Sequence, residues 1–298
     1  MVKTTKTYRD LVNFFTQGGL SPWGENSRDS IQILSPVEQY LVQKKKRLFK
    51  GFEDYDEVHR FVFDLETTSL APEEGRIFMI GIKDNRGFEK VIEIKDTPES
   101  EIEAIYEFFD IINEIKPSII GGYNSSNFDW PWLFRRAEIL GLDTKEFETL
   151  NPNEKYKIND GILKLGAEIE NYKQIKIWGY NSIDIAHSVR RAQTINSEIK
   201  SWGLKYITQF SKSEKPNRVY IDGDKIASTY KENKEFYLNV ENGKYKPTNV
   251  DGLKNLDKRF PKTYKKVSGE EIVERYLIDA LWETQEADGQ FNQASFLL

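Results

Sequence analysis

The segment RFVFDLE, residues 60–66, alternates along its length and therefore predicts a β-strand. Its phenylalanine and leucine side chains would line one face, and Val62, Asp64 and Glu66 the other. Asp64 interrupts an apolar run, where a charge has no packing role. Two carboxylates on one face repel each other unless a cation neutralises them, and hard oxygen ligands suit Mg²⁺ or Mn²⁺. The alternative is a strand that ends in a charged turn, with Glu66 solvated.

A second acidic position lies in GGYNSSNFDWPW, where Asp129 follows a short apolar strand and precedes a helix begun near Pro131. Asp129 is either the N-cap of that helix, a role for which aspartate is favoured, or a further metal ligand. In the second interpretation Asn124 contacts a nucleotide and Phe128 stacks on a base, because aromatic side chains grip unstacked bases. The residues alone leave both interpretations open.

A third segment, ERYLIDALWET, belongs to a late helix. One residue corresponds to about 100° of helical rotation, so Asp279 and Ala280 face different directions. Tyr276 and Ala280 belong to a less polar stripe, which we expect to face the carboxylates. The charged residues spaced by four predict a solvated, salt-bridged face: Glu271, Arg275, Asp279 and Glu283.

Strand and helix patterns alternate along the rest of the chain, which predicts a mixed α/β fold, a β-sheet flanked by helices. A polar β insertion is expected at about 210–265, with hairpins at 218–228 and 236–248 that turn at Asp-Gly and Asn-Gly. The last helix is expected to begin with a capping box, Ser268 to Glu271, and to end near Asp288. Three other acids are interpreted as turn or cap residues: Asp184, Asp222 and Asp224.

Composition sets further limits. The 298 residues contain no cysteine, which excludes a disulfide framework and a thiol nucleophile. The net charge of −5 argues weakly against nucleic-acid binding, although an acidic metal site contributes to that charge. No apolar run approaches the roughly 20 residues that span a bilayer, and the N-terminus is not a signal peptide, so we expect a soluble protein without a membrane partner.

In their order and spacing, FDLETT, YNSSNFDWPWL and ERYLIDALWE resemble the three motifs of the 3′–5′ exonuclease domain of phage-type family B DNA polymerases. That domain is a tyrosine-type member of the DnaQ-like, ribonuclease-H-like superfamily. The resemblance implies an exonuclease domain at 55–288, a remnant of the polymerase N-terminal region at 1–54, and the start of a connection to a polymerase domain at 289–298. The polymerase signature segments do not occur in the sequence.

The resemblance also implies roles for individual residues. Asp64 would bridge two Mg²⁺ or Mn²⁺ ions, Glu66 would hold the ion that activates water, and Asp129 would support the second ion through its shell. Tyr276 would orient the attacking water.

The expected substrate is single-stranded DNA or a primer 3′ end. Its terminal 3′ hydroxyl would meet the backbone around Leu65 and Thr67, with Asn124 and Phe128 on the nucleotide. The module would serve proofreading in DNA replication, beside the palm, fingers and thumb if the chain is part of a longer polymerase. Its expected location is the cytoplasm, that of the host for a phage protein. The hairpins at 218–228 and 236–248 resemble in position the hairpin with which such enzymes separate primer from template, or are exposed decorations.

The third motif of that family has an acid four residues after its tyrosine, and this chain has Ala280 there. We therefore expect an exonuclease-deficient variant in which one ion is weakened. A competing hypothesis is a π-bulge that brings Asp279 to the metal. Two other functions stay open: a module of the same fold that binds single strands or 3′ ends without cutting, and a ribonuclease, because the motifs do not separate DNA from RNA.

Overall fold

The computed structural model describes residues 8–18, 36–46, 54–143, 156–231, 234–250 and 253–296. The chain divides into two compact units, Met1–Glu53 and Asp54–Leu298. The first unit contains helices α1 (Tyr8–Gln17) and α2 (Pro36–Gln43). Its assignment as the remnant of a polymerase N-terminal region stays a prediction.

The second unit contains the strands and the remaining helices. Its strands are β1 (Arg60–Thr67), β2 (Ile77–Asp84), β3 (Glu89–Glu93), β4 (Ile119–Gly122), β5 (Lys157–Leu165), β6 (Glu168–Lys176), β7 (Asn181–Asp184), β8 (Glu235–Asn239), β9 (Tyr245–Pro247) and β10 (Tyr264–Ser268). Its helices are α3 (Pro98–Ile115), α4 (Asp129–Ile139), α5 (Ile185–Ile195), α6 (Leu204–Phe210), α7 (Ile226–Lys231), α8 (Leu256–Arg259) and α9 (Gly269–Phe296).

Five strands form a mixed sheet in the order β3-β2-β1-β4-β7. β2 is antiparallel to β1 and β3, whereas β4 is parallel to β1 and β7. The carboxyl ends of β1, β4 and β7 therefore meet at one edge, where α/β proteins commonly place a site. The predicted mixed α/β fold is confirmed.

Side chains alternate along β1, so its two faces belong to two different hydrophobic clusters. Phe63 faces α3 and α4, with its ring centroid 5.0 Å from that of Phe108 and 4.7 Å from that of Trp130. Val62, on the other face, packs in a cluster that includes Leu277 and Leu281 of α9. Each fully buried side chain of this kind contributes roughly 1.5–3 kcal/mol. The sheet is thus covered by helices on both faces.

The β insertion differs in part from the prediction. The hairpin at 236–248 is confirmed as β8 and β9, and β10 extends it to a three-stranded sheet in the order β10-β8-β9. The hairpin at 218–228 is wrong, because the Asp-Gly pair there enters a 3₁₀ turn, Gly223–Lys225, that leads into α7. The sequence analysis missed the longest hairpin of the described chain, β5–β6, whose nine-residue strands pair along their full length.

The last helix begins as expected. Ser268 and Glu271 form the capping box, with the Glu271 amide 3.1 Å from the Ser268 hydroxyl and the Ser268 amide 2.8 Å from the Glu271 carboxylate. The expected end near Asp288 is wrong, since α9 continues to Phe296 over 28 residues. Within the part of the chain that is described, neither this helix nor any other is long and apolar enough to cross a membrane.

Candidate active site

The acidic end of β1 lies against α9. Asp64 is paired with Gly81 of β2, and a Cβ atom at Gly81 would lie only 2.7 Å from the Leu277 side chain of α9. Glycine is needed at this close approach. The helix therefore packs directly on the sheet beside Asp64, and it places Tyr276 and Ala280 in the wall of the cavity that Asp64 also lines.

Asp129 reaches β1 from the start of α4. It is the first residue of that helix, and the N-cap position belongs to Phe128, without a capping side chain. Asp129 Oδ1 instead accepts a hydrogen bond of 3.1 Å from the Leu65 amide. Its carboxyl group also lies within hydrogen-bonding reach of that of Asp64. The N-cap interpretation of Asp129 is therefore wrong, and the structure brings this acid to the two on β1.

The loop before Asp129 is held by another carboxylate. Asp184 accepts hydrogen bonds of 2.9 Å from the amides of Asn124 and Ser126, and caps α5 through the amide of Ala186 at 3.0 Å. Asn124 has a left-handed backbone with φ of 63°. The interpretation of Asp184 as a cap acid is confirmed, and its second task is to fix the turn that delivers Asp129.

Burial raises the pKa of all three acids, and the charge of neighbouring acids raises it further at Glu66 and Asp129. Burial raises the pKa of Asp64 from 3.8 to about 6. The pKa of Glu66 rises through burial and the charges of Asp64 and Asp129, and the pKa of Asp129 through burial and the charge of Asp64. Glu66 and Asp129 are 7% and 2% exposed, while Asp64 keeps some surface open to the cavity. Such acids favour a cation in their midst.

One stripe of α9 forms the cavity wall opposite these acids. Tyr276, Ala280 and Thr284, spaced by four, line a cavity of about 340 Å³ together with Asp64. The expectation that the stripe of Tyr276 and Ala280 faces the site is therefore confirmed. A carboxylate at position 280 would project into this cavity.

The expectation that Asp279 faces water is wrong. Asp279 is fully buried, and its carboxylate lies 2.6 Å from Lys215 Nζ and 2.9 Å from Arg275 Nε, and accepts a hydrogen bond of 2.9 Å from the Val219 amide. Glu283 is fully buried as well. The segment at 215–219 covers this face of α9 and supplies its own cations, which spacing along the helix does not reveal.

The same observations oppose the π-bulge hypothesis. Helix α9 is α-helical throughout Gly269–Phe296, and the partners of the Asp279 carboxylate, Lys215, Arg275 and Val219, do not line the cavity of Ala280. Asp279 is therefore a structural acid, and Ala280 occupies the position next to Asp64.

Two cations beside the site were missed from the sequence. Arg218 Nη1 donates a hydrogen bond of 2.8 Å to the Tyr276 carbonyl, and its Nε lies 3.1 Å from the Glu283 carboxylate. Its guanidinium stands 4.9 Å from the Tyr276 ring centroid and lowers the pKa of Asp64 and of Glu66. Lys205 also lines the cavity, and its pKa is lowered by burial and by Arg218. The available signal was a lone arginine that opens the apolar run RVYI.

Four expected substrate contacts lie outside the cavity wall. The amide of Leu65 is engaged by Asp129, and the Thr67 hydroxyl donates a hydrogen bond of 2.9 Å within its own loop. The Asn124 side chain accepts a hydrogen bond of 3.0 Å from its own loop, and Phe128 packs in part against the core. Their roles toward a nucleotide stay predictions.

The donor chemistry of Asp64, Glu66 and Asp129 fits a hard divalent cation. Across the described ranges, however, no three acidic, histidine or cysteine side chains form a ready-made metal cluster. The side chains of Asp64 and Asp129 interact with each other, which suits a pair of acids that shares a proton. Metal binding would have to release that proton.

The model of the family described as DNA polymerase family B, exonuclease domain, matches residues 31–207. The chain belongs to this family. This family B exonuclease domain is 31% identical to a DNA polymerase of Pyrococcus glycovorans over 195 residues. The matched region covers 62% of this chain and 23% of that protein. It is 33% identical over 84 residues to DNA polymerase 2 of Aeropyrum pernix, which covers 27% of this chain and 10% of that protein. The chain thus spans less than a quarter of either curated relative.

The fold of this family B exonuclease domain is also found in a solved structure. The family B DNA polymerase from the hyperthermophilic archaeon Pyrobaculum calidifontis matches with a TM-score of 0.50 and 20% identity, over 78% of this chain and 24% of that one. The predicted ribonuclease-H-like exonuclease fold agrees with this likeness. Exonuclease domains of this family generally depend on divalent metal ions.

Proposed function

We propose that this chain is a proofreading 3′–5′ exonuclease module that hydrolyses the terminal phosphodiester of single-stranded DNA, and that Ala280 impairs it. One observation carries the proposal. Asp64, Tyr276 and position 280 line a single cavity, and the buried acids Glu66 and Asp129 lie close enough to Asp64 for its charge to raise the pKa of both.

Asp64, Glu66 and Asp129 are the residues that would hold Mg²⁺ or Mn²⁺ in a two-ion site. Bound there, the ions supply an activated water and relieve charge at the phosphorus and the leaving oxygen. The raised pKa values of the three acids support this assignment, because a bound cation favours the deprotonated form that burial opposes.

The residues of α9 and its neighbours act on the substrate side. Burial, with the charges of Glu66 and Asp64, raises the pKa of Tyr276, so its hydroxyl stays protonated and can donate a hydrogen bond to the attacking water. Arg218 and Lys205 bring positive charge to the cavity wall, which favours a phosphodiester there.

The family's third motif has an acid at the position of Ala280, so this chain lacks that carboxylate. Three acids remain, and the acid nearest in sequence, Asp279, is engaged elsewhere by Lys215 and Arg275. We therefore propose that this chain cuts weakly and that one ion binds poorly.

Ala280→Asp tests the proposal, with Ala280→Asn as a matched control of similar size without charge. Degradation of a 5′-labelled single strand is followed with Mg²⁺ or Mn²⁺. Ala280→Asp is expected to raise the rate on the order of 10²-fold, because a metal-bound charge contributes several kcal/mol. Ala280→Asn should stay at the level of the parent. Equal rates in all three proteins, or no degradation by Ala280→Asp, would refute the proposal.

A second candidate function is a module that binds a single strand or a 3′ end without cutting. Ala280, together with the two cations in the cavity wall, favours it. In EDTA, such a module would retain its affinity for single-stranded DNA, and Ala280→Asp would still show no cleavage when metal is returned.

A further inference from the structure

A second cavity adjoins the candidate active site. It has a volume of about 770 Å³ and lies between the segment at 214–220 and the β8–β9 turn at 241–246. Arg218 lines both cavities, and its guanidinium stands 5.1 Å from the Tyr220 ring on one side and 4.9 Å from the Tyr276 ring on the other. We call the space lined by 214–220 and 241–246 the lateral groove. The Arg218 side chain separates the lateral groove from the cavity that Asp64 lines.

The groove is built by close contact between its two walls. Gly243, with φ of 68°, lies so near the other wall that a Cβ atom there would be 2.3 Å from the Arg218 carbonyl and 2.5 Å from that of Asn217. Only glycine meets both requirements, the left-handed backbone and the approach. The β8–β9 turn therefore packs directly against the segment that contains Arg218.

The lining of the groove contains more cations than acids: Lys215, Arg218, Lys244 and Lys246 against Glu214 and Glu241. Both acids keep their charge, since Glu214 accepts hydrogen bonds from the uncharged groups of Tyr220 and Gln209, and Glu241 one from Thr263. Lys244 and Lys246 are exposed. Within the described ranges, neither ammonium group has a hydrogen bond or an ion pair.

The two lysines lie close together in the chain. Lys246 belongs to β9, the edge strand of its sheet, and Lys244 directly precedes that strand. Tyr220 and Tyr245 add ring surface to the walls. Proteins that bind single-stranded nucleic acid without sequence preference place cations along its backbone and aromatic rings against its bases. All of these residues lie beyond residue 207, where the match to the family model ends.

We propose that the lateral groove binds the sugar-phosphate backbone of the strand whose 3′ end enters the candidate active site, at nucleotides upstream of the terminal one. This inference rests on the proposed function, because it needs the 3′ end at Asp64. Lys244 and Lys246 contact phosphates, and the groove selects an unpaired strand. An acidic peptide added to the free edge of β9 is the competing occupant.

Binding of 5′-fluorescent oligothymidylates by the full chain tests the groove. A phosphorothioate at the terminal linkage prevents their consumption, and Mg²⁺ is present. The probes are a dinucleotide, which reaches only the carboxylate cavity, and a dodecamer, which reaches the groove. Lys244→Ala/Lys246→Ala is compared with Lys258→Ala/Lys265→Ala, which removes the same charge from exposed positions outside the groove.

The groove variant is expected to bind the dodecamer about tenfold more weakly and to lower the slope of log K against log salt by about 1.4, the value for two phosphate contacts. Dinucleotide affinity should change less than about twofold, and the control variant should match the parent. Equal losses in both variants, or equal losses for both probes, would overturn the proposal. Unchanged dodecamer affinity, with an acidic peptide displaced by the lysine substitutions, would assign the groove to a protein partner.

Photocrosslinking gives a measurement that does not depend on a substitution. A 5-iodouracil moved upstream from the 3′ end should crosslink to Tyr220 or Tyr245 from internal positions and not from the terminal one. Tyr123 and Tyr276 line the carboxylate cavity, and crosslinks confined to these two from every position would contradict the groove. Failure of Ala280→Asp to cut DNA would instead refute the proposed function, and binding of the dodecamer with no effect of the lysines would refute the groove alone.

Discussion

This molecule contains two sets of buried acids, and they differ in what surrounds them. Asp279, Glu283 and Asp288 of α9 are at most 1% exposed, yet each faces a cation, Asp288 through Arg60 Nη1 at 2.8 Å. Asp64 and Glu66 have repulsive acidic neighbours and only distant positive charge.

Burial alone therefore does not identify a functional acid. The pKa values of Glu283 and Asp288 are raised by burial too, just as those of the site acids are. What differs is the partner: the acids of α9 complete ion pairs that join the helix to other segments, whereas Asp64, Glu66 and Asp129 repel one another. The first set stabilises the fold, and the second requires a ligand.

The largest expected difference concerns Asp279→Ala. Removal of this carboxylate leaves Lys215 and the buried Val219 amide without their acceptor, so we expect the free energy of unfolding to fall by about 3 kcal/mol. Urea denaturation measures it. Glu270→Ala, at an exposed position of the same helix, should cost less than about 0.5 kcal/mol. Comparable losses for the two variants would show that the ion pairs of α9 are not structural.

Metal addition should act on the other set. At about one hundred times its dissociation constant, Mn²⁺ is expected to stabilise the chain by about 2.7 kcal/mol, seen as a rise in melting temperature. Asp64→Asn should lose this gain, and Glu270→Ala should keep it. A full gain in Asp64→Asn would place the metal elsewhere.

The pH dependence of the metal-free chain should show the burial of Asp64. The folded pKa of Asp64, about 6, lies above its ordinary value of 3.8, so the folded state binds the proton more tightly. Stability from this group is present at pH 4 and is lost as the pH rises through about 6. Asp64→Asn should match the parent at pH 4 and exceed it on the order of 2 kcal/mol at pH 7. Thermal melts across this range measure the difference, and a constant gap would contradict it.

The smallest effect is expected where the two sets meet, at Arg218. This residue pairs with Glu283 and lowers the pKa of Asp64 and Glu66. Arg218→Gln should move the pH midpoint of Mn²⁺ binding upward by less than about one unit, whereas Arg218→Lys, which keeps the charge, should leave it nearly in place. Calorimetric titrations at several pH values measure the midpoint. The same shift in both variants would indicate lost packing rather than lost charge.

Local periodicity was sufficient to predict β1, the mixed fold and the orientation of Tyr276 and Ala280, because each depends on side chains within one element. The environment of Asp279 was not predictable in this way. Its partner Val219 lies 60 residues upstream, and the chain at 215–219 was expected to belong to the β insertion, with a hairpin from residue 218. The same error hid Arg218, since a residue placed in that hairpin was not expected at the site.

The Asp-Gly pair at 222–223 illustrates why the rest was missed. The same type of dipeptide that predicts a hairpin turn also suits the entry to a short helix, and tertiary packing decides between them. At Asn242 and Gly243 the turn forms as expected, because Gly243 also meets the other wall of the groove. Turn chemistry names candidate positions, and only the neighbouring segment selects one outcome.

Helix α9 has two faces with different partners. Tyr276 and Ala280 face the cavity, while Asp279 and Glu283 face the segment at 215–219. A substitution on this helix changes one face at a time. An insertion or deletion of a single residue before Tyr276 would rotate everything after it by about 100° and exchange the two faces. A substitution in α9 should therefore affect one face of the helix, whereas an insertion or deletion before Tyr276 should disrupt both.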